Sequence, residues 1–148
     1  MKDKLVLKEL TGCEMVRSRF VDSGLNLIGE FTQVHLYDQY GNLKYEDSFH
    51  NDITNAGKNA LLDSFFRNQT QPAAWYFGLV DNSGFSAFAA GDTMSSHSGW
   101  TEFTTYSDST RVACTTVAAS SQSITNTSVS TFNVNGSGTV KGIFVTSV

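Results

Sequence analysis

The stretch that decides the fold is AWYFGLV, residues 74–80, an uninterrupted apolar run with one glycine inside it. A run of this length is typical of a strand that is covered on both faces. Gly78 has no side chain, so it allows a neighbouring backbone or ring to approach closely. We therefore predict a buried central strand at residues 74–80.

The residues before this strand have a helical period. Between positions 51 and 68 the apolar side chains recur at helical spacing, namely Ile53, Ala56, Ala60, Leu61, Leu62, Phe65 and Phe66. Thr54 or Asn55 can cap the start, because a side-chain oxygen there satisfies an unpaired backbone N–H. The pattern predicts one short α-helix near residues 54–67, with its Phe65–Phe66 end apolar enough to pack against a sheet.

Further towards the N-terminus, two segments of imperfect alternation flank a turn. FTQVHLY at residues 31–37 and the segment 43–49 are separated by residues 38–42, which include a glycine. Two such runs around a loop of this length predict a β-hairpin. Residues 1–30 hold ten charged residues and one aromatic, Phe20. We interpret them as an N-terminal arm or peripheral segment, followed by a β-domain at residues 31–148.

After the central strand, residues 81–109 resemble a loop rich in glycine, serine and threonine. Beyond it, four segments rich in Thr, Val and Ser are predicted as short strands: Arg111–Ala118, Ser121–Thr127, Val129–Val134 and Thr139–Thr146. The predicted fold is mainly β. It is an antiparallel β-sandwich, jelly-roll or immunoglobulin-like, with one short helix near 54–67.

The composition limits the classes of partner. Charged residues make up 16% of the 148 positions, whereas 18 serines and 16 threonines supply a surface of hydroxyls. The net charge is −4 and the ten basic residues are scattered, so we expect no nucleic-acid partner. No apolar run has the roughly 20 residues of a membrane helix, and no signal peptide is visible. We expect no membrane partner, and synthesis and folding in a cytoplasm.

The residues that could carry chemistry do not form a motif. His35, His50 and His97 lack metal-ligand spacing, and two distant cysteines are interpreted as reduced thiols. Asp92, Ser95, Ser96 and His97 lie within six positions, but no Gly-x-Ser-x-Gly turn is present. Side-chain bonds to turns explain the Asp92–Ser96 group better, and a turn explains residues 81–84 better than half of a calcium loop. We expect no enzyme, no catalytic residue, no metal and no cofactor.

Ordered blocks of residues carry a resemblance to a known group. They are Asn51–Asp63, Trp75–Leu79, Ala89–Met94, His97–Glu102, Tyr106, Ser123–Asn126, Phe132 and Gly138–Phe144. Together they resemble small structural proteins of tailed bacteriophages. The likeness covers roughly residues 50–146. It implies a protein of the virion, in the first place a capsid decoration (cement) protein. A tail or receptor-binding accessory protein is the alternative.

A protein of this kind functions through buried contacts, and the long loop supplies candidate anchors. The candidate interface residues are Phe85, Phe88, Trp100, Phe103 and Tyr106, although a place in the domain core would also explain most of them. The expected partners are the major capsid protein or another virion protein, and further copies in a homo-oligomer, with a trimer favoured. The alternative is glycan or receptor binding through Trp75, Trp100 or Tyr106.

Overall fold

The computed structural model describes residues 29–108 and 111–148. Their elements in chain order are β1 (Gly29–Tyr37), β2 (Leu43–Asn51), α1 (Asn55–Phe66), β3 (Tyr76–Asp81), β4 (Thr101–Phe103), β5 (Val112–Ala113) and β6 (Val140–Thr146). The described chain is mainly β, with two antiparallel sheets and a single short helix, which confirms the predicted fold class. This architecture is consistent with a β-sandwich, and the jelly-roll or immunoglobulin-like topology stays a prediction. The predicted arm at 1–30 lies outside the described residues, except for Gly29 and Glu30, which begin β1.

Strands β1 and β2 form the predicted hairpin, with a register from Gly29 opposite Asn51 to Tyr37 opposite Leu43. The Asp38 carboxylate organises the turn. Its Oδ1 accepts hydrogen bonds of 2.9 Å from the backbone N–H groups of both Tyr40 and Asn42. Its Oδ2 lies 3.1 Å from Lys44 Nζ. These bonds explain why a five-residue linker with a single glycine closes the hairpin.

The Asp38 carboxylate should make the hairpin turn sensitive to acid. Hydrogen bonds from the side chain and backbone of Asn42, and further bonds from Lys44 and Tyr40, lower the pKa of Asp38 from 3.8 to about 2. Because the pKa is lower in the folded turn, its stabilisation is complete above pH 3.8 and is lost as the pH falls towards 2. We expect NMR titration to show the Asp38 carboxyl carbon and the Asn42 amide moving together near pH 2. The variant Asp38→Asn should lack this transition, and a midpoint at 3.8 would contradict the prediction.

Helix α1 begins and ends as the sequence predicts. Thr54 is the N-cap, and its Oγ1 accepts a 3.3 Å hydrogen bond from the Gly57 N–H. The end is marked by Asn68, whose φ of 53° is left-handed. The predicted packing of the Phe65–Phe66 end against a sheet is wrong, because no residue of the helix is buried.

Strand β3 is the centre of the four-stranded sheet, as predicted. It pairs with β6 along its full length on one edge. On the other edge, β5 pairs with Tyr76 and Phe77, and β4 pairs with the segment Leu79–Asp81. Leu79 is buried and Val80 is completely inaccessible to solvent. Leu79 and Val80 are adjacent and point to opposite faces, so both faces of β3 are covered at this point, as the continuous apolar run predicts.

The predicted strands after position 110 are confirmed in part. Residues 111–118 shorten to the two-residue β5, and β6 is present. The predicted strands at 121–127 and 129–134 are wrong. The segment is held instead by single bridges such as Thr116–Asn126, and by a tight turn in which Ser121 and Gln122 both have positive φ. Its valines and Ile124 are exposed and Phe132 is only partly buried, so no buried face fixes a longer ladder.

Candidate interaction surface

The five predicted interface aromatics divide into core and surface residues. Phe103 on β4 is 2% exposed and Tyr106 is 8% exposed, and both pack with Leu79 of β3 in one buried cluster. Phe132 and Ile143 are partly buried against the same cluster. Phe103 and Tyr106 are therefore parts of the domain core. The sequence left this place in the core open as the alternative to an interface role, and the burial of both rings within the domain favours it.

Trp100 is also a core residue, at 6% exposure. Its indole N–H donates a 2.9 Å hydrogen bond to Asp92 Oδ2. One face of its ring stacks on His97, with centroids 4.0 Å apart, and the Phe144 ring lies 5.2 Å away. Because both its polar atom and its ring are engaged inside the domain, Trp100 is not available to a partner.

The Asp92 carboxylate fixes the long loop around Trp100. Asp92 Oδ2 also accepts a 2.9 Å bond from the Ala89 N–H. The Ala89 N–H, and then the Trp100 indole, lower the pKa of Asp92 and keep it ionised at neutral pH. His97 Nδ1 donates a 3.0 Å bond to the Trp100 carbonyl, which assigns the proton to Nδ1. These bonds hold the loop in a folded conformation against one face of the sheet.

The same geometry bears on whether Asp92, the nearby serines and His97 form a catalytic nucleophile set. Ser95 Oγ lies 3.1 Å from Thr93 Oγ1, and the backbones of Thr93 and Ser96 bond to each other in a tight turn. Within residues 29–108 and 111–148, no hydrogen bond joins His97 to Asp92 or to a serine hydroxyl. The predicted role of Asp92 in a side-chain-to-backbone turn bond is confirmed. The predicted turn at 81–84 is confirmed as well, since Asp81 Oδ1 accepts from the Ser83 N–H at 2.7 Å.

Phe88 and Phe85 are the predicted anchors that stay accessible. Phe88 is 55% exposed and Phe85 is half-buried, and their ring centroids are 4.9 Å apart. Lys141 Nζ lies 5.2 Å from the centre of the Phe85 ring. The centre of the buried Trp100 ring lies 6.2 Å from the centre of the Phe88 ring. The pair forms a small apolar patch that carries one positive charge.

Further large apolar side chains are exposed on the hairpin and on helix α1, for which the sequence predicted packing only at the Phe65–Phe66 end. The hairpin and helix α1 expose the following large apolar side chains: Leu36, Tyr37, Tyr40, Leu43, Tyr45, Leu61, Leu62, Phe65 and Phe66. The sequence contains a signal from which the exposure of apolar side chains on the hairpin could have been predicted. Leu36 and Tyr37 are adjacent in β1, so an alternating strand must present one to each face of the sheet.

An ion pair borders an open groove of about 620 Å³ at the other end of the sheet. Arg111 donates two hydrogen bonds of 2.7 Å to the Glu102 carboxylate and a third to the Val148 carbonyl. Its guanidinium lies 5.6 Å from the centre of the Phe144 ring. Arg111 thus joins β4 to the end of the chain after β6. Its donors are used within the domain, which favours a structural role.

Neither a metal centre nor a membrane-spanning helix is found in the described residues: no three His, Cys, Asp or Glu side chains are grouped to bind a metal, and no helix is long and apolar enough to cross a bilayer. Comparison of the chain with protein-family models, curated proteins and solved structures gives no match. The site must therefore be interpreted from its own geometry.

Proposed function

We propose that this chain is a structural protein of a tailed-phage virion, in the first place a capsid decoration protein that binds the head shell as a symmetric oligomer. The observation that carries the proposal is the imbalance between core and surface. Among the described residues, the buried hydrophobic side chains are Leu79, Val80, Trp100, Phe103 and Tyr106, whereas the hairpin and the helix expose nine large ones.

This imbalance supports assembly for a physical reason. A soluble monomer rarely exposes apolar patches of more than a few hundred Å². Burial of apolar surface contributes roughly 25 cal/mol per Å², so contact with a partner would stabilise this chain substantially. A chain of this size can bury most of its apolar surface by itself. The surface that it leaves exposed is therefore well suited to subunit contacts.

The sequence resemblance supports the shell as the larger partner, and the major capsid protein as its component. A closed lattice presents the same site many times, so contacts that are weak singly become strong together. A trimer matches a three-fold position on such a shell. The Phe85–Phe88 patch, with its lysine, is a second surface that suits a polar-rimmed contact.

A binding experiment with phage shells that lack the protein tests the proposal. We expect the purified full-length chain to be oligomeric by light scattering and to co-sediment with the shells in a fixed ratio. Amides of residues 81–109 should exchange more slowly in the bound state, as measured by mass spectrometry. A chain that stays monomeric and does not bind the shells would refute the proposal.

Trp75 supports the alternative, a tail or receptor-binding accessory protein that recognises glycans. Trp75 is 41% exposed, whereas Trp100 and Tyr106 are buried and cannot stack on a sugar. A glycan array distinguishes this alternative from the proposed function. Binding that disappears in Trp75→Ala would favour the alternative, and an array without signal would remove it.

A further inference from the structure

The β1–β2 hairpin receives little support from the rest of the described chain. Each strand has nine residues, about 30 Å of extended chain, and within the described residues neither strand pairs with a third. A two-stranded hairpin alone is marginally stable in water at best. The Phe31 ring, near the base, lies 5.9 Å from Phe77 of the larger sheet. This contact supports one end of the hairpin and leaves the outer half exposed.

The outer half of the hairpin is apolar on both faces. Leu36 is the cross-strand partner of Tyr45, and Tyr37 is the partner of Leu43. Partners in an antiparallel pair share a face, so each face presents one aliphatic and one aromatic side chain. All four are about half exposed, and Tyr40 at the tip is 81% exposed. A hairpin with this pattern suits a groove or surface that covers it, rather than solvent.

Helix α1 presents a surface of matching size. Its outer side chains Leu61, Leu62 and Phe65 are exposed, with Phe65 at 80%, and Phe66 lies beside them. The exposed apolar area is on the order of 400 Å² on the helix and 400 Å² on one face of the hairpin with its tip, from the usual areas of these side chains. Together they reach roughly 800 Å², the size of a weak contact, which repetition around a ring of copies would strengthen.

The charges favour a contact between the hairpin and the helix over a contact between two hairpins. Among its described side chains, the hairpin carries the acids Asp38, Glu46 and Asp47 against a single lysine, whereas residues 55–67 carry Lys58 and Arg67 against Asp63. Asp38 is paired with Lys44, and Arg67 with Asp63. Glu46 lies 3.4 Å from His35, on the opposite face of the hairpin from Asp47. Asp47, on the face that carries Leu36 and Tyr45, and Lys58 on the helix are then the charges that the two surfaces present to each other. Two hairpins would place like charges together, but a hairpin and a helix place opposite charges together.

We propose that the hairpin of one copy docks on helix α1 of a second copy. The contact is formed between copies, because within one chain the helix has no buried residue and a linker of only three residues, 52–54, joins it to the hairpin. The contact is head-to-tail, because it joins two different surfaces. Repeats of it form a closed ring when the rotation from one copy to the next brings the last copy back to the first. The inference rests on the proposed function, and it names the subunit contact of that oligomer.

Two complementary variants of the full-length chain test this contact. The hairpin variant is Leu36→Ser with Tyr45→Ser, and the helix variant is Phe65→Ser. Each alone should raise the dissociation constant of self-association by about 30-fold or more, as expected for loss of a hot spot. When the two are mixed, the intact helix of the first should accept the intact hairpin of the second. We expect a 1:1 complex by native mass spectrometry, of a size that neither variant forms alone.

The controls separate this inference from the proposed function. Val129→Ser removes an equally exposed side chain, 84% accessible, elsewhere on the surface and should assemble as the wild type does. If the double hairpin variant melts abnormally, Tyr40→Ser replaces it. A mixture that stays monomeric, or variants that assemble normally, would overturn the hairpin–helix contact even if the wild type binds shells. A wild type that is monomeric but binds shells would also overturn it and leave the proposed binding to the head shell standing, whereas failure to bind shells would count against the proposed function itself.

Discussion

Replacing Trp100 with alanine should lower the free energy of unfolding by about 3–5 kcal/mol, the usual loss for a large aromatic core residue. The ring is buried between His97 and Phe144, so its removal leaves a cavity under the long loop. It also removes the indole donor to Asp92. The measurement is urea unfolding followed by far-UV circular dichroism, with the midpoint and the slope fitted separately.

Phe88→Ala is the matched control for this prediction. Phe88 belongs to the same aromatic group, with its ring 6.2 Å from that of Trp100, but it is 55% exposed. Its removal should cost about 1 kcal/mol, well below the Trp100 change, since more than half of its surface is already in contact with solvent. Trp100→Phe should fall between the two, because it keeps most of the packing and loses the hydrogen bond to Asp92, a difference of about 1–2 kcal/mol. If Trp100→Ala unfolds like the wild type but fails to assemble, Trp100 is an interface anchor and the assignment to the core is wrong.

The parts of the fold that were predictable from sequence are those specified locally. The hairpin follows from alternation around a turn whose aspartate bonds to its own loop. The helix follows from its period and from the Thr54 cap. The central strand follows from a run too apolar for an edge. In each case the residues that decide the structure lie within a few positions of one another, so a single sequence contains the information.

The parts that were not predictable depend on distant partners. Whether Trp100 is core or interface depends on Phe144, 44 positions away, and on the fold of the loop around Asp92. The exposure of the helix is set by the rest of the fold, in which no residue of the helix is buried. The period of its apolar residues would be the same whether a sheet of its own chain or another copy packed on it. The segment after position 113 has the composition of strands, but hydroxyl-rich residues without a buried face are held by turns and single bridges. Composition alone does not distinguish these outcomes.

Gly78→Ala should have the second large effect, a destabilisation of about 2–3 kcal/mol. Gly78 is opposite Phe144 in the β3–β6 ladder, and a Cβ added to it would lie 2.2 Å from Phe144 Cζ. The Phe144 ring cannot move aside easily, because the Trp100 ring lies 5.2 Å from it and the Arg111 guanidinium 5.6 Å. Forcing a methyl group into a packed site usually costs 1–3 kcal/mol, and this site lies at the centre of the sheet. Gly142→Ala is the control, since its Cβ would lie 3.4 Å from the exposed Phe88, and we expect a change near zero.

A double variant decides whether the Phe144 ring is the cause. In a Phe144→Ala background the ring is gone, and the same Gly78→Ala change adds a side chain to a strand in which glycine is unfavourable by about 0.5–1 kcal/mol. The effect of Gly78→Ala should therefore change sign, from strongly destabilising to neutral or stabilising, when both changes are measured in one thermodynamic cycle. If the cost of Gly78→Ala persists without the ring, the backbone of β3 itself requires glycine. The sign of the effect therefore shows whether glycine is required by the neighbouring Phe144 ring or by the backbone conformation at position 78. The extended backbone of β3 and the position of Phe144 favour the first explanation.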